Sequence, residues 1–219
     1  MDVLSVLFEA FFWILVILAI WFLFVETVVR AVRHFVHFPI PAFITRFIDN
    51  PLRRAIQPPG RVVDWIGISG GMEVLEIGPG PGTFTMEAAR RAGEAGHLAA
   101  VDIQPSVITK LETRLRKEGI RNATTKVASA YELPFPDRTF DRAFMITVLA
   151  EVPDKRRALL EIGRVLKDDG LLAIGELLID PDYPRRKTVT RWCKDSSLRL
   201  VEEHGGVMHY LLAFRKADG

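Results

Sequence analysis

The sequence predicts an α/β protein: a doubly wound, mostly parallel seven-stranded sheet closed by an antiparallel C-terminal hairpin and preceded by one transmembrane helix. Three observations carry that expectation. From residue 60 onward, short apolar runs alternate with amphipathic stretches, the pattern of strands alternating with covering helices. A glycine-rich turn, Gly78-Pro79-Gly80-Pro81-Gly82, follows the first apolar run. An almost uninterrupted apolar segment stands at the N-terminus.

The N-terminal segment, VLSVLFEAFFWILVILAIWFLFV over residues 3 to 25, has only Ser5 and Glu9 as strongly polar members. At ~1.5 Å per residue such a helix reaches the ~30 Å of a bilayer's hydrocarbon, and Trp13 and Trp21 suit its interfaces. A cleaved signal peptide fits less well, because no basic region precedes the run and no small-residue cleavage site follows it. Arg30, Arg33, Arg46, Arg53 and Arg54 lie on the C-terminal side, so the positive-inside bias predicts a single-pass membrane protein whose soluble domain faces the cytoplasm. The segment around residues 35 to 60 interleaves Phe35, Phe38, Phe43 and Phe47 with His34, His37, Arg46, Arg53 and Arg54. Such a segment suits an anionic membrane surface, or it packs on the domain and its active-site mouth. The expected organisation is a transmembrane helix over 1–29, a juxtamembrane basic and aromatic segment over 30–60, and a catalytic domain over 61–219.

Within that domain, RVVDWIGI is amphipathic, MEVLEIG reads as a buried strand, and TFTMEAARRAG as a helix. HLAAVDI is the next strand, PSVITKLETRLRKEG a helix, and ATTKVAS and FDRAFMIT two further strands. DKRRALLEIGRVLKDDG reads as a helix ending at Gly170, followed by the strand LLAIGELL. TVTRWCKDS is a last helix, and SLRLVEEH and VMHYLLAFRK, joined through Gly205-Gly206, form a hairpin.

Composition excludes several classes. The chain has 219 residues with a single cysteine, Cys193, which leaves no intramolecular disulfide framework and no cysteine cluster for zinc. Its 29 Lys+Arg against 27 Asp+Glu give a formal charge of +2, too small to argue for nucleic acid as a partner. Oligomeric state is not legible.

Chemistry concentrates in Val74-Leu75-Glu76-Ile77-Gly78-Pro79-Gly80-Pro81-Gly82-Thr83. The glycines let the backbone turn tightly and approach a ligand, and the helix start behind them offers free N–H groups. Glu76 would sit poorly beside a pyrophosphate but suits an ammonium group. Asp102 ends the next strand 20 residues after Gly82, where a carboxylate can accept from ribose hydroxyls. The dinucleotide fingerprint G-x-G-x-x-G fails, since the sixth position from Gly78 is Thr83. An NAD-dependent oxidoreductase is the weaker alternative for that reason, and no Tyr-x-x-x-Lys accompanies the turn.

This stretch resembles motif I of the class I S-adenosylmethionine-dependent methyltransferases, in their small-molecule and lipid branch, and the resemblance covers roughly residues 60 to 215. Tyr131-Glu132-Leu133-Pro134-Phe135-Pro136-Asp137 resembles the family's loop after strand 3, and Arg164-Val165-Leu166-Lys167-Asp168-Asp169-Gly170 its corner before strand 5. The resemblance implies a Rossmann-like methyltransferase fold with S-adenosyl-L-methionine as cofactor and no metal. Glu76, Gly78, Pro79, Gly80 and Gly82 would surround the methionine end, Asp102 the ribose, Ile103 the adenine, with Ser129, Ala130 and Thr147 completing the site. Where the family usually has Asp before the LPFPD loop, this chain has Ser129. An uncharged, shorter acceptor predicts weaker cofactor binding and motivates the alternative of a non-catalytic, membrane-tethered scaffold.

Methyl transfer is an in-line displacement that needs a positioned acceptor and, for oxygen or carbon acceptors, a route for a proton. Glu151, Glu176 and His209 stand near the expected acceptor edge, and the sequence singles out none of them as the base. The apolar N-terminus points to a lipophilic or membrane-associated acceptor: a phospholipid amine, a quinone precursor or a small hydrophobic molecule.

Overall fold

The computed structural model describes residues 51–180 and 182–217, together with 8–9, 11–18, 20–21, 24 and 27–28. The chain divides into two compact units, Met1–Phe38 and Pro39–Gly219.

In the first unit the expected membrane span over residues 3–25 is not upheld, and the single-pass localisation drawn from it falls too. Among the described residues no helix is long and apolar enough to cross a membrane. Of the segment expected at 30–60, residues 30–50 lie outside the described residues.

The described part of the second unit opens with two short helices, α1 (Pro51–Ile56) and α2 (Pro59–Ile66). Proline opens each, where a missing N–H costs nothing, and Gly67 ends α2 in a left-handed cap. Then follow β1 (Glu73–Ile77), α3 (Thr85–Ala92), β2 (His97–Asp102), α4 (Pro105–Lys117), β3 (Ala123–Val127) and β4 (Phe140–Ile146). A 3₁₀ turn at Leu149–Glu151 leads to α5 (Lys155–Val165), β5 (Leu166–Leu177), α6 (Arg186–Lys194), β6 (Leu198–Gly205) and β7 (His209–Lys216). Asp154 caps α5 by accepting from Arg157 N at 3.0 Å.

The seven strands form one sheet in the order β3-β2-β1-β4-β5-β7-β6. The first five are mutually parallel, whereas β7 runs antiparallel to β5 and to β6, as the expected hairpin requires. Alternation along the strands fills two cores. Leu75, Ile77, Met145, Leu172, Ile174 and Tyr210 pack with Leu159, Ile162 and Val189 of α5 and α6. Val74, Leu98, Ala100, Phe144 and Ala173 pack with Val63, Ala88 and Leu111 of α2, α3 and α4 on the other face. The inner strands β1, β2, β4, β5 and β7 are mostly buried on both faces because both are covered, whereas the edge strands β3 and β6 are polar and part-exposed.

Strand order reverses between β1 and β4, and ligands of open parallel sheets sit beyond the carboxyl ends of the strands at such a switch point. The loops at that point are 78–84 and 147–154.

One element departs from the sequence expectation. The fifth helix stops at Val165, and the LKDDG read as its end opens β5 instead. Leu166 pairs with Phe140 across a bulge, and Lys167 Nζ reaches Asp141 Oδ1 at 2.7 Å. Gly170 packs so closely that an added Cβ would stand 2.9 Å from Lys167 O and 3.0 Å from Phe140 O. Pairing with β4 thus overrides the helical charge pattern.

Candidate functional site

Glu76 lies near the end of β1 between Leu75 and Ile77, only 2% exposed. Its Oε2 has no hydrogen-bond partner, and neither has the buried Oγ1 of Thr83 or of Thr85, the residue that opens α3. Burial pushes the Glu76 carboxyl from 4.5 up to about 8, and the nearby Asp102 charge adds to the rise. A carboxylate desolvated in this way favours an incoming cation.

The turn that follows has the backbone its glycines require. Gly80 sits at φ +51 with nothing within 4 Å of the position a Cβ would take, so its backbone borders open space. At Gly82, φ +80, a Cβ would fall 2.6 Å from Leu111 Cδ1, so that glycine lets α4 pack close. Gly78 N donates to Val101 O at 2.9 Å and Gly82 N to Pro79 O at 2.9 Å. Arg114 of α4 donates to Pro81 O at 2.6 Å and holds the turn from outside.

At the end of β2, Asp102 Oδ1 accepts from Gln104 N at 2.9 Å. Burial raises its carboxyl's pKa, and the backbone N–H groups of Gln104 and Ile103 counter the rise. Ile103 beside it is 61% exposed, an aliphatic surface turned outward next to a carboxylate. Ala128 N donates to Asp102 O at 3.0 Å, which brings the loop after β3 to the same edge. In that loop Ser129 Oγ accepts from Tyr131 N at 3.2 Å, and Ala130 packs against the α5-side core. The serine oxygen therefore already serves its own turn.

Thr147 follows β4 at φ +56. Its N–H donates to Gly175 O at 2.8 Å and its Oγ1 donates to Ile146 O at 2.7 Å. That oxygen also accepts from Arg53 Nη2 at 3.2 Å. Arg53 comes from α1, is 8% exposed, and sets its guanidinium 5.9 Å over the ring of Phe84. The end of the segment expected to lie along a membrane surface is thus packed into the domain at the strand ends, the second of its two readings.

Of the three proton-acceptor candidates, Glu176 is the most buried. It stands at 1% exposure near the end of β5, with Oε1 lacking a hydrogen-bond partner. Glu151 is half-buried in the 3₁₀ turn after β4. His209 opens β7 opposite Leu177 at the same strand edge, where its ring stacks on Trp65 at 5.2 Å and burial with the Arg61 charge lowers its pKa. The structure therefore gathers Glu76, the glycine turn, Asp102 and Ser129 along the ends of β1, β2 and β3, and Thr147, Glu151 and Glu176 along those of β4 and β5.

Sequence reasoning missed Arg53, Phe84 and Arg114 as parts of this edge. Arg53 lay in a stretch whose basic and aromatic residues suit a lipid surface equally well. No local pattern announces that Arg114 will bind Pro81 O.

Comparison with known proteins agrees with this geometry. Residues 68–210 match the family described as Methyltransferase domain, and the chain belongs to that family. It is 37% identical over 123 residues to the ubiquinone/menaquinone biosynthesis C-methyltransferase UbiE of Vibrio campbellii, covering 54% of this chain and 48% of that protein. With UbiE of Pasteurella multocida the identity is 36% over 123 residues, 54% of this chain and 46% of that one. The chain spans about half the length of the curated relatives it matches. A SAM-dependent methyltransferase from Aquifex aeolicus has the same fold, with TM-score 0.77 and 23% identity over 82% of this chain and 100% of that one. The [4+2]-cyclase SpnF shares it at TM-score 0.62 and 18% identity, covering 73% and 81%. The second unit carries an S-adenosylmethionine-dependent methyltransferase domain, and the NAD-dependent alternative is set aside.

The residues present fit that cofactor. Three buried polar atoms without partners ring a glycine turn that borders open space, and a carboxylate with an exposed aliphatic neighbour ends the adjoining strand.

Proposed function

We propose that this chain methylates a ring carbon of a lipophilic quinol, a precursor of a ubiquinone- or menaquinone-like molecule. The observation that carries this reading is the 37% identity to quinone-biosynthesis C-methyltransferases across more than half of the chain. The orphaned carboxylate at the glycine turn supports the cofactor half of it.

In this reading Glu76 receives the ammonium of the methionine moiety, and its carboxyl gives up a proton as it does so. Gly78, Pro79, Gly80 and Gly82 lend the backbone around that end. Asp102 accepts from the ribose hydroxyls, and Ile103 lies against the adenine, with Ser129 and Ala130 at its edge. Thr147, whose Oγ1 donates to Ile146 O and whose N–H donates to Gly175 O, sets the floor where the two halves meet. When bound, the cofactor supplies an electrophilic methyl on a sulfonium. Glu76, the glycine turn and Asp102 would hold it so that the ring carbon could take the methyl, with the electron pair of the broken bond left on sulfur and the ring proton lost to solvent. What the protein contributes is alignment and exclusion of water.

The test is transfer of labelled methyl from S-adenosylmethionine to a panel of acceptors by the full chain. Label on a ring carbon of a prenylated naphthohydroquinone or benzohydroquinone is expected. Label only in phosphatidylethanolamine, or in no acceptor while the cofactor binds, would overturn the quinol reading, the latter in favour of a non-catalytic scaffold.

A further inference from the structure

We infer that Arg53 and Glu176 form an acceptor-holding pair at the ends of β4 and β5, two donors that grip an oxygen of a hydroxylated ring. The inference rests on the quinol reading and assigns that acceptor's binding residues.

Position comes first. Arg53 reaches from α1 across the strand ends, bonded to Thr147 Oγ1 at 3.2 Å and lying 5.9 Å over Phe84, which directly follows the glycine turn. The guanidinium therefore stands between the turn of β1 and the end of β4. Thr147 N donates to Gly175 O at 2.8 Å, so the end of β4 is locked to the residue immediately before Glu176. Both side chains are buried where acceptors of open parallel sheets bind.

Chemistry comes second. Glu176 Oε1 is buried with no hydrogen-bond partner. The residue opposite it in β7, Tyr210, does not answer it, because that hydroxyl donates to Pro184 O at 2.6 Å. Buried polar atoms left unmet are costly, and one retained at a ligand edge points to a ligand that meets it. Burial, with the negative charges of Asp180, Glu151 and Asp182, holds the Glu176 carboxyl well above its usual range, and only Arg53 pulls the other way. A neutral carboxyl donates one hydrogen bond, and a guanidinium donates charge-assisted ones. Two such donors suit the lone pairs of a ring hydroxyl or phenolate oxygen and would hold it in place.

The pair is tested by binding, apart from turnover. A naphthohydroquinone carrying a short prenyl chain is titrated into the full chain in the presence of S-adenosylhomocysteine. Parent, Glu176→Leu, Glu176→Gln and Arg53→Met are compared, with melting temperature confirming that each variant folds. About tenfold or greater weakening is expected for Glu176→Leu and Arg53→Met. Glu176→Gln, which keeps a donor, should recover most of the affinity, and S-adenosylhomocysteine affinity should stay within about twofold of parent throughout. Quinol binding by both donor-deleted variants within about twofold of parent would overturn the pair and leave the quinol reading standing. A parent that fails to bind the quinol would overturn both.

Discussion

The ends of β1 and β5 each bury a carboxylate with one oxygen that meets no partner, Glu76 in VLEI and Glu176 in AIGEL. Their surroundings differ. Beside Glu76 lie a glycine turn open to solvent at Gly80 and a second acidic residue, Asp102. Around Glu176 lie three further carboxylates and one arginine, which α1 brings across the edge. A buried carboxylate without a cation beside it suits a ligand that brings one. A carboxyl kept neutral next to a guanidinium suits a ligand that brings an oxygen. In the proposed reading the same residue type near the ends of two strands would serve opposite halves of one reaction, with Arg53 beside only one of them.

The sharpest way to break this comparison is to fill the open side of β1. Gly80→Val places a β-branched side chain at φ +51, in the space the cofactor's methionine end would use. A roughly hundredfold or larger loss of S-adenosylmethionine affinity is expected, read by calorimetry, with quinol affinity little changed. Asp102→Ala should come next. Loss of charge-assisted bonds to two hydroxyls is worth about 2–4 kcal/mol, again measured on cofactor affinity alone.

Glu76→Gln probes charge rather than shape. The carboxyl's pKa is raised from 4.5 to about 8 by folding, so the folded chain binds the proton more tightly than the unfolded one. Its contribution to stability therefore falls as pH rises from about 4.5 through about 8. The variant should melt higher than the parent at pH 8 by an amount worth up to a few kcal/mol, and the gap should close toward pH 5. Its cofactor affinity should fall at the same time. The parent should also release a proton on binding at pH 7, seen as a buffer-dependent calorimetric enthalpy that the variant lacks.

The smallest expected effect concerns the position where this chain departs from its family's pattern. Ser129 Oγ already accepts from Tyr131 N. An aspartate there has oxygens enough for both the turn and an adenine amino group, so Ser129→Asp should tighten cofactor binding by about three- to tenfold.

Most of the sheet was legible because its inner strands are covered on both faces. VLEI, LAAV and FMI read as short apolar runs, the first two stopped by Gly78 and Asp102, while their register is seen only in the sheet itself. The start of β5 was not legible, since Lys167-Asp168-Asp169 has the composition of a helix end and becomes strand only through Phe140 and Asp141 of β4. Within the site, Glu76 declared itself as a lone carboxylate in an apolar run. Glu176 carried the same signal, and what the sequence withheld was its neighbour. Arg53 is far away in the chain, in a segment whose basic and aromatic residues fit two environments. The membrane span drawn from residues 3–25 rested on hydropathy alone, and among the described residues no helix of sufficient length answers it.

The central claim is that two separable halves meet along one sheet edge. It is tested most directly by measuring both affinities, for S-adenosylmethionine and for the prenylated naphthohydroquinone, in Asp102→Ala and in Glu176→Leu. Crossed losses are predicted, the first variant weakening only the cofactor and the second only the quinol. If the two affinities fall together in either well-folded variant, the halves are not separate and the account is wrong.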